Sequence, residues 1–414
     1  MPSARDYFNI AESFFVKGDY FRAEQTYTKA IEIDPSNAFL YKCRGDCYKA
    51  VGYDLMMNGE FDKAWQCFGM AIDEFTTSIK IDKTAYSAYS SRGHCFLWLG
   101  EIELALKDFN CMININKNDS SGYFSRALLF YQIEEYSNAL IDINMSIKLN
   151  PNEVSQYITR IDIFDALGQI ENAIDDCNSA LMLENNNSQL YFKRAQLYRK
   201  INNIYQAIMD YSQAIIFTPN YFDAYVRRGD TYKKIGKYLE AINDYTMGIQ
   251  IEPNIANVYI TRGISYFNLG DIDKSLSDYS NAIKIDPNGS LVAYLNRSNI
   301  YKMNNEIHLA LKDLKKAIDI APDFIATYFN LGSLYLEIKD YKSALMYLNK
   351  VLEINPNYED KEIVIQMIDE SKNNSIEKGH PKSENISFKN NKSPKDNFSG
   401  IIDYEFNDPN KGYY

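Results

Sequence analysis

Proline and glycine are scarce in this chain, 11 and 19 among 414 residues. With 46% hydrophobic and 24% charged residues, so few breakers indicate a folded, helical protein longer than one compact core usually supports. No uninterrupted apolar run reaches membrane-spanning length, which argues against a membrane segment. The start, MPSARDYFNIAESFF, lacks a basic stretch followed by an apolar one, so no signal peptide is expected and a cytoplasmic location follows. Positive charge is in deficit: the net charge is −11. Phosphate backbones need a basic footprint, so nucleic acid is not the expected partner.

Chemistry-bearing motifs are also missing. There is no Gly-rich phosphate loop, metal motif or nucleophile–base pair, and His94, His308 and His380 are scattered along the chain. An enzyme is therefore not expected, and no cofactor is implied. Cys43 and Cys47 lie one turn apart, with Cys67, His94 and Cys95 further on, but no paired CxxC accompanies them. They read as reduced thiols acting as small hydrophobes, with no metal bound.

What the chain has in abundance is tyrosine, 34 residues, and it recurs on a fixed interval. The unit is clearest from Phe222 to Ile255. Tyr225, Gly229 and Tyr232 share one face of a first helix, and Ala241, Tyr245 and Gly248 repeat that spacing on a second. Gly236 stops the first helix and Pro253 the second. A tyrosine on one helix fills the space that a glycine or alanine leaves on its partner. Such a pair cannot bury both its faces alone and needs copies of itself as neighbours.

The copies are present. The opening tyrosine recurs as Tyr7, Tyr41, Tyr89, Tyr123, Tyr157, Tyr191, Tyr225, Tyr259, Tyr294 and Tyr328, 34 residues apart except for intervals of 48 after Tyr41 and 35 after Tyr259. This period and pattern resemble the tetratricopeptide repeat (TPR). The resemblance implies an all-α, right-handed solenoid in which first helices line a concave groove that holds a peptide or partner protein. The repeats read as 4–37, 38–85, 86–119, 120–153, 154–187, 188–221, 222–255, 256–289, 291–324 and 325–358. A capping helix follows over 359–375, with an apolar stripe at Ile363 and Met367 and beside it Val364 and Ile368. The stretch 376–414 reads as a disordered tail.

The 48-residue repeat carries two extra heptads, one per helix. Its second helix shows the small–large–small pattern twice, Ala64-Phe68-Ala71 and Ala71-Phe75-Ser78. This spacing predicts one hairpin about 10 Å longer than the rest. The extension is read either as passive or as a partner contact through Met57 or Trp65.

Arginine recurs one residue before each first-helix notch, and an acid recurs on the second helices: Asp108, Arg126, Asp142, Arg160, Asp176, Arg194, Asp210, Arg228, Asp244 and Arg262 belong to these columns. The expectation is an ion-pair ladder in which each acid meets the arginine of the following repeat, so that Asp210 pairs with Arg228. Arginine suits this role because its planar fork grips a carboxylate through two bonds.

The groove is expected to present the residue after each tyrosine, an apolar line through Phe8, Phe124, Ile158, Phe192, Val226, Ile260, Leu295 and Phe329 with a polar break at Lys42 and Ser90. Lys193, Arg199, Lys200, Arg227, Lys233 and Lys234 form a candidate basic patch beside Phe192, Val226 and Ile260, suited to an acidic segment. No three successive repeats carry the lysine, asparagine and arginine set with which some family members clamp a chaperone's terminal carboxylate, so that activity is not expected. The resulting expectation is a non-enzymatic scaffold that binds an extended, acidic protein segment. The alternative is self-occlusion by the tail around Asp403, Tyr404, Glu405 and Phe406.

Overall fold

The computed structural model describes residues 2–377, and these divide between two compact units, Met1–Ile201 and Asn202–Tyr414. The reading of the tail, including its self-occluding alternative, lies outside the described residues. Among the described residues there are 21 helices and no strand.

The first unit holds α1 (Ala4–Val16), α2 (Tyr20–Ile33), α3 (Ala38–Met57), α4 (Phe61–Ile81), α5 (Tyr86–Trp98), α6 (Ile102–Ile115), α7 (Ser120–Gln132), α8 (Tyr136–Leu149), α9 (Val154–Ala166), α10 (Ile170–Leu183) and α11 (Ser188–Lys200). The second holds α12 (Ile204–Phe217), α13 (Phe222–Lys234), α14 (Tyr238–Ile251), α15 (Ala256–Asn268), α16 (Ile272–Ile285), α17 (Leu291–Met303), α18 (Ile307–Ile320), α19 (Ile325–Glu337), α20 (Tyr341–Ile354) and α21 (Lys361–Glu377). Each unit is an all-α solenoid of antiparallel hairpins, every hairpin packed on the next within its unit.

Tight turns make the hairpins. Each first helix is followed by a residue with positive φ, and at six of these turns it is glycine, as at Gly18 and Gly236. Asn202 and Asn305 take the same left-handed conformation with a side chain that tolerates it, and Glu134 and Lys339 with side chains that resist it.

The cores are knobs in notches. A Cβ built on Gly229 would stand 2.9 Å from the Tyr245 ring, one on Gly263 2.8 Å from Tyr279, and one on Gly93 2.6 Å from Phe109. Tyr245, Tyr279 and Phe109 are wholly buried. Where the first helix carries the larger Ile161, the second carries the smaller Cys177, so the pair still fills the space. Cys43, Cys47, Cys95 and Cys177 are buried. Burial pushes the Cys43 and Cys95 thiols up to about 12, which keeps them protonated and inert.

The long hairpin repeats this device twice. α3 has 20 residues and α4 has 21, against 13 and 14 in the neighbouring pairs α1–α2 and α5–α6. Phe75 fills the notch at Gly45 and Phe68 the one at Gly52, one heptad further out. Seven residues are nearly two turns, so the second knob falls on the same face as the first.

At the other end α21 closes the array with Val364 and Ile368, buried against a cluster that includes Leu334, Leu348 and Val351. The stripe is turned from its expected line. Ile363 is exposed, Met367 packs at the margin, and the buried row continues through Ser371. The helix also runs on to Glu377, into the stretch read as disordered. The buried row at Val364, Ile368 and Ser371 has helical spacing, whereas composition alone sets a boundary by its polar residues.

Candidate functional site

The arginine column closes each hairpin on itself. Arg228 donates to both Asp244 oxygens, at 2.8 and 2.7 Å. Arg92–Asp108, Arg126–Asp142, Arg160–Asp176, Arg262–Asp278 and Arg297–Asp313 repeat this two-bond grip. Arg44 grips Glu74 in the same way across the long hairpin. The expected pairing of Asp210 with Arg228 is therefore corrected: Arg228 bonds Asp244 of its own hairpin. Its remaining nitrogen reaches back to Ser212 at 2.9 Å. Thr28, Thr76, Asn110, Asn144, Asn178, Thr246 and Ser280 take the same contact in the other repeats.

The reason is angular. Ser212 stands two residues beyond Asp210, and two residues are about 200° of helical turn, so the two side chains leave the helix on opposite sides. One arginine thus joins an acid in its own hairpin to a hydroxyl or amide in the preceding one. Burial works against the Arg228 charge, but the bonds and field of Asp244 outweigh it and raise the guanidinium above its ordinary value. The same burial raises the Asp244 carboxyl despite Arg228. With two N–H bonds from a permanent cation the pair stays ionic near neutral pH.

The first-helix faces differ between the units. In the second, Val226, Ile260, Leu295 and Phe329 are buried, so they are core rather than an exposed line. Each packs toward the next first helix, Val226 with Val258 and Ile260 with Ala293. Lys233 is buried, Arg227 lies 3.8 Å from Asp230, and Lys234 is exposed. In the first unit Phe8, Phe124, Ile158 and Phe192 remain half-buried at the surface.

Arg199 is half-buried, and the two lysines of α11 are already matched. Lys193 meets Asp162 at 2.5 Å and Lys200 meets Asp165 at 2.5 Å. Both aspartates stand on α9, the preceding first helix, which a reading of charge within single helices overlooks. The expected basic patch is thus divided between two units, and three of its six cations, Lys193, Lys200 and Arg227, have an acid beside them.

A recess opens instead at the polar break. A cavity of about 370 Å³ is lined by Phe15 of α1, Lys42, Asp46, Lys49 and Ala50 of α3, Tyr86, Ser87, Ser90 and Ser91 of α5, and Ser121 of α7. Asp46 accepts from Lys42 at 2.6 Å and sits 3.3 Å from Lys49. Lys49 also donates to the Ser91 hydroxyl at 2.9 Å, and Ser91 donates to Asp46 at 3.1 Å. Burial disfavours the Lys42 charge, but Asp46 outweighs it and raises the ammonium above its usual value. Two ammonium groups of the lining share its one carboxylate, and the Glu12 carboxylate of α1 is near enough to act on Lys42 as well. Sequence reasoning marked Lys42 and Ser90 but missed Asp46 and Lys49. Following the column one and two helical turns on from Lys42 would have found them.

Family models described as tetratricopeptide repeat match residues 4–37, 26–66, 188–221, 222–255, 256–288, 291–324 and 325–358, together more than half of the chain. The chain belongs to the tetratricopeptide repeat family. Among curated relatives, serine/threonine-protein phosphatase 5 of Homo sapiens and of Rattus norvegicus are each 30% identical over 96 residues. That stretch is 23% of this chain and 16% of theirs, so the chain spans about a sixth of the length of these relatives.

Among solved structures, the C-terminal part of a TPR repeat-containing protein from Cytophaga hutchinsonii aligns with a TM-score of 0.52 at 18% identity. It covers 58% of this chain and 98% of its own, and shows the fold alone. Yeast Tom70 aligns over 90% of this chain and 96% of its own at 15% identity with a TM-score of 0.40. The TPR fold is a protein-interaction scaffold, and here it presents an open first-helix face in residues 1–201. No helix among the described residues is long and apolar enough to cross a membrane. Among them no group of three or more His, Cys, Asp or Glu side chains is placed to hold a metal.

Proposed function

We propose that this chain is a non-enzymatic TPR adaptor, working in the cytoplasm, that holds an extended acidic segment of a partner protein against the first helices of residues 1–201. The observation that carries this reading is the recess around Lys42, Asp46 and Lys49. Each ammonium has three donors. The bonds to Asp46 and Ser91 leave at least one on each lysine for a ligand carboxylate. The two ammonium groups suit a carboxylate better than a phosphate dianion, whose second charge Asp46 and the nearby Glu12 would repel. Phe15 and Ala50 supply apolar walls for the carbon atoms of that side chain.

The basic patch on α11 and α13 is the weaker site on this reading, because Asp162, Asp165 and Asp230 already engage three of its six cations. The recess contains neither asparagine nor arginine, which supports a side chain within a segment, rather than a chain terminus of the clamp type, as the ligand group.

Immobilised 12-residue peptide pools, degenerate except for a central Glu-Glu or Gln-Gln, test this directly. The full chain should be retained more strongly by the glutamate pool. The double change Lys42→Gln, Lys49→Gln should weaken that retention about tenfold, the size expected for losing one charge-assisted contact. Equal retention by the two pools would remove the acidic-segment reading, and no retention by either would remove the groove.

A further inference from the structure

The long hairpin carries a surface that the repeat pattern normally covers. Positions immediately after the first small residue of a second helix pack on the next hairpin. Ile174 on α10 is buried at 8% exposure, in a cluster with Leu190 and Leu197 of α11. On α4 the pattern occurs twice, so this position occurs twice, as Ile72 and Trp65. Ile72 is covered, packing against the buried cluster that includes Ala88 and Cys95 of α5. Trp65 lies seven residues nearer the tip on the same stripe and is 50% exposed.

The cause is length. α5 ends at Trp98, whose ring stacks obliquely on Phe68 at 5.0 Å and on Tyr53 at 5.7 Å. Trp98 therefore marks the level at which the next hairpin stops. The stripe continues for about 10 Å beyond it, from seven residues at 1.5 Å each. Phe61 lies beside Trp65 with ring centroids 6.5 Å apart and is 52% exposed, and Met57 across the turn is 67% exposed.

We propose that this flank is a second interaction surface, distinct from the groove, and that it receives a short amphipathic helix with a basic flank from a partner protein. Two features specify the occupant. The stripe has the register that elsewhere receives a first helix, so a helix of about two turns continues the stacking already present. Its border is acidic: Asp54 and Asp62 are exposed, while Glu60 is engaged by Lys63 at 2.6 Å. An apolar patch bordered by free carboxylates selects lysine or arginine at the margin of the incoming helix. The acidic border also disfavours an anionic membrane surface.

Trp65 reports its own environment. In a Trp98→Phe background it is the sole tryptophan, and burial of its indole shifts emission to shorter wavelength. The probe is an 18-residue amphipathic helix with leucine and alanine on one face and lysine elsewhere; the control has glutamate in place of lysine. The lysine helix should produce a saturable blue shift, and the glutamate helix should need at least tenfold higher concentration. Asp54→Asn with Asp62→Asn should narrow that gap.

As a second readout, Trp65→Ser in the otherwise unchanged chain should abolish capture of the lysine helix with helicity by circular dichroism unchanged. No shift, equal shifts from the two helices, or capture that survives Trp65→Ser would overturn the proposal. A shift produced by phosphatidylcholine vesicles alone would overturn it in favour of a membrane. The peptide-pool experiment on Lys42 and Lys49 fails or succeeds independently of this one.

Discussion

The first-helix rows of the two units are built from the same repeat, yet one row is open and the other is closed. In residues 1–201 the position after the tyrosine holds Lys42, Ser90, Phe124, Ile158 and Phe192, all half-buried. In residues 202–377 the same position holds Val226, Ile260, Leu295 and Phe329, exposed by 3, 6, 0 and 5%. Leu295 packs in one cluster with Tyr328, Phe329 and Leu314, so the second row is sealed by apolar contact between successive first helices. Lysine, serine and aspartate in the first row cannot form such a seal, and a polar recess remains. Repeat position fixes where a side chain starts. The chemistry of its neighbours decides whether it ends as core or as surface.

Core truncations should break this comparison most visibly if it is wrong. Leu295→Ala should cost about 3 kcal/mol in urea unfolding, as expected for emptying a wholly buried leucine site. Ile158→Ala, on the open row, should cost about 1 kcal/mol. Equal losses would mean that both rows are buried to the same degree.

The ion pairs allow a similar contrast. Asp278→Ala strands Arg262, whose pair is largely buried, and should cost about 3 kcal/mol. Asp165→Ala removes the partner of the exposed Lys200 and should cost no more than about 0.5 kcal/mol. A large loss at Asp165 would show that the first row is better shielded than its exposure suggests. A smaller effect of opposite sign is expected at the turns. Glu134 has φ of 61°, and Glu134→Gly should stabilise the first unit by about 1 kcal/mol by releasing left-handed strain.

The weakest effect is that of pH. His94 is lodged against Phe109 and Trp98, with Nδ1 2.7 Å from the Ser90 carbonyl oxygen. Burial lowers its pKa, helped by the nearby Lys49 and opposed by the Ser90 hydrogen bond. The unfolded chain therefore takes up a proton at this site near the ordinary value of 6.5, before the folded chain does. This contribution to stability is complete above pH 6.5 and is lost as the pH falls through the lowered folded value. His94→Gln should flatten the dependence of unfolding midpoint on pH below 6.5, and an unchanged slope would place the source elsewhere.

The hairpins, their knobs and notches, and the doubled pattern of the long hairpin were legible in the sequence, because each depends on residue size at fixed spacing. The doubled Ala64-Phe68-Ala71 and Ala71-Phe75-Ser78 pattern is such a case. The Arg228–Asp244 bond was one of two sterically open pairings, and the spacing of 16 or 18 residues does not by itself choose between them. Only the azimuth of Asp210 against Ser212 does. The closure of the second row was not legible, since Val226 and Ile158 look alike as letters in a column. Neutralisation of Lys193 and Lys200 was hidden for a related reason: their partners, Asp162 and Asp165, lie one repeat away. The stranding of Trp65 follows from the unequal lengths of α4 and α5, and both lengths can be read from the sequence.

The most direct test of an open first row is where a bound segment lies. With the glutamate-containing pool carrying a photo-crosslinker at its centre, adducts on the full chain should map to α3, α5 and α7, around Lys42, Lys49 and Ser90. Adducts concentrated on the second helices, or on the sealed row around Leu295, would contradict the account.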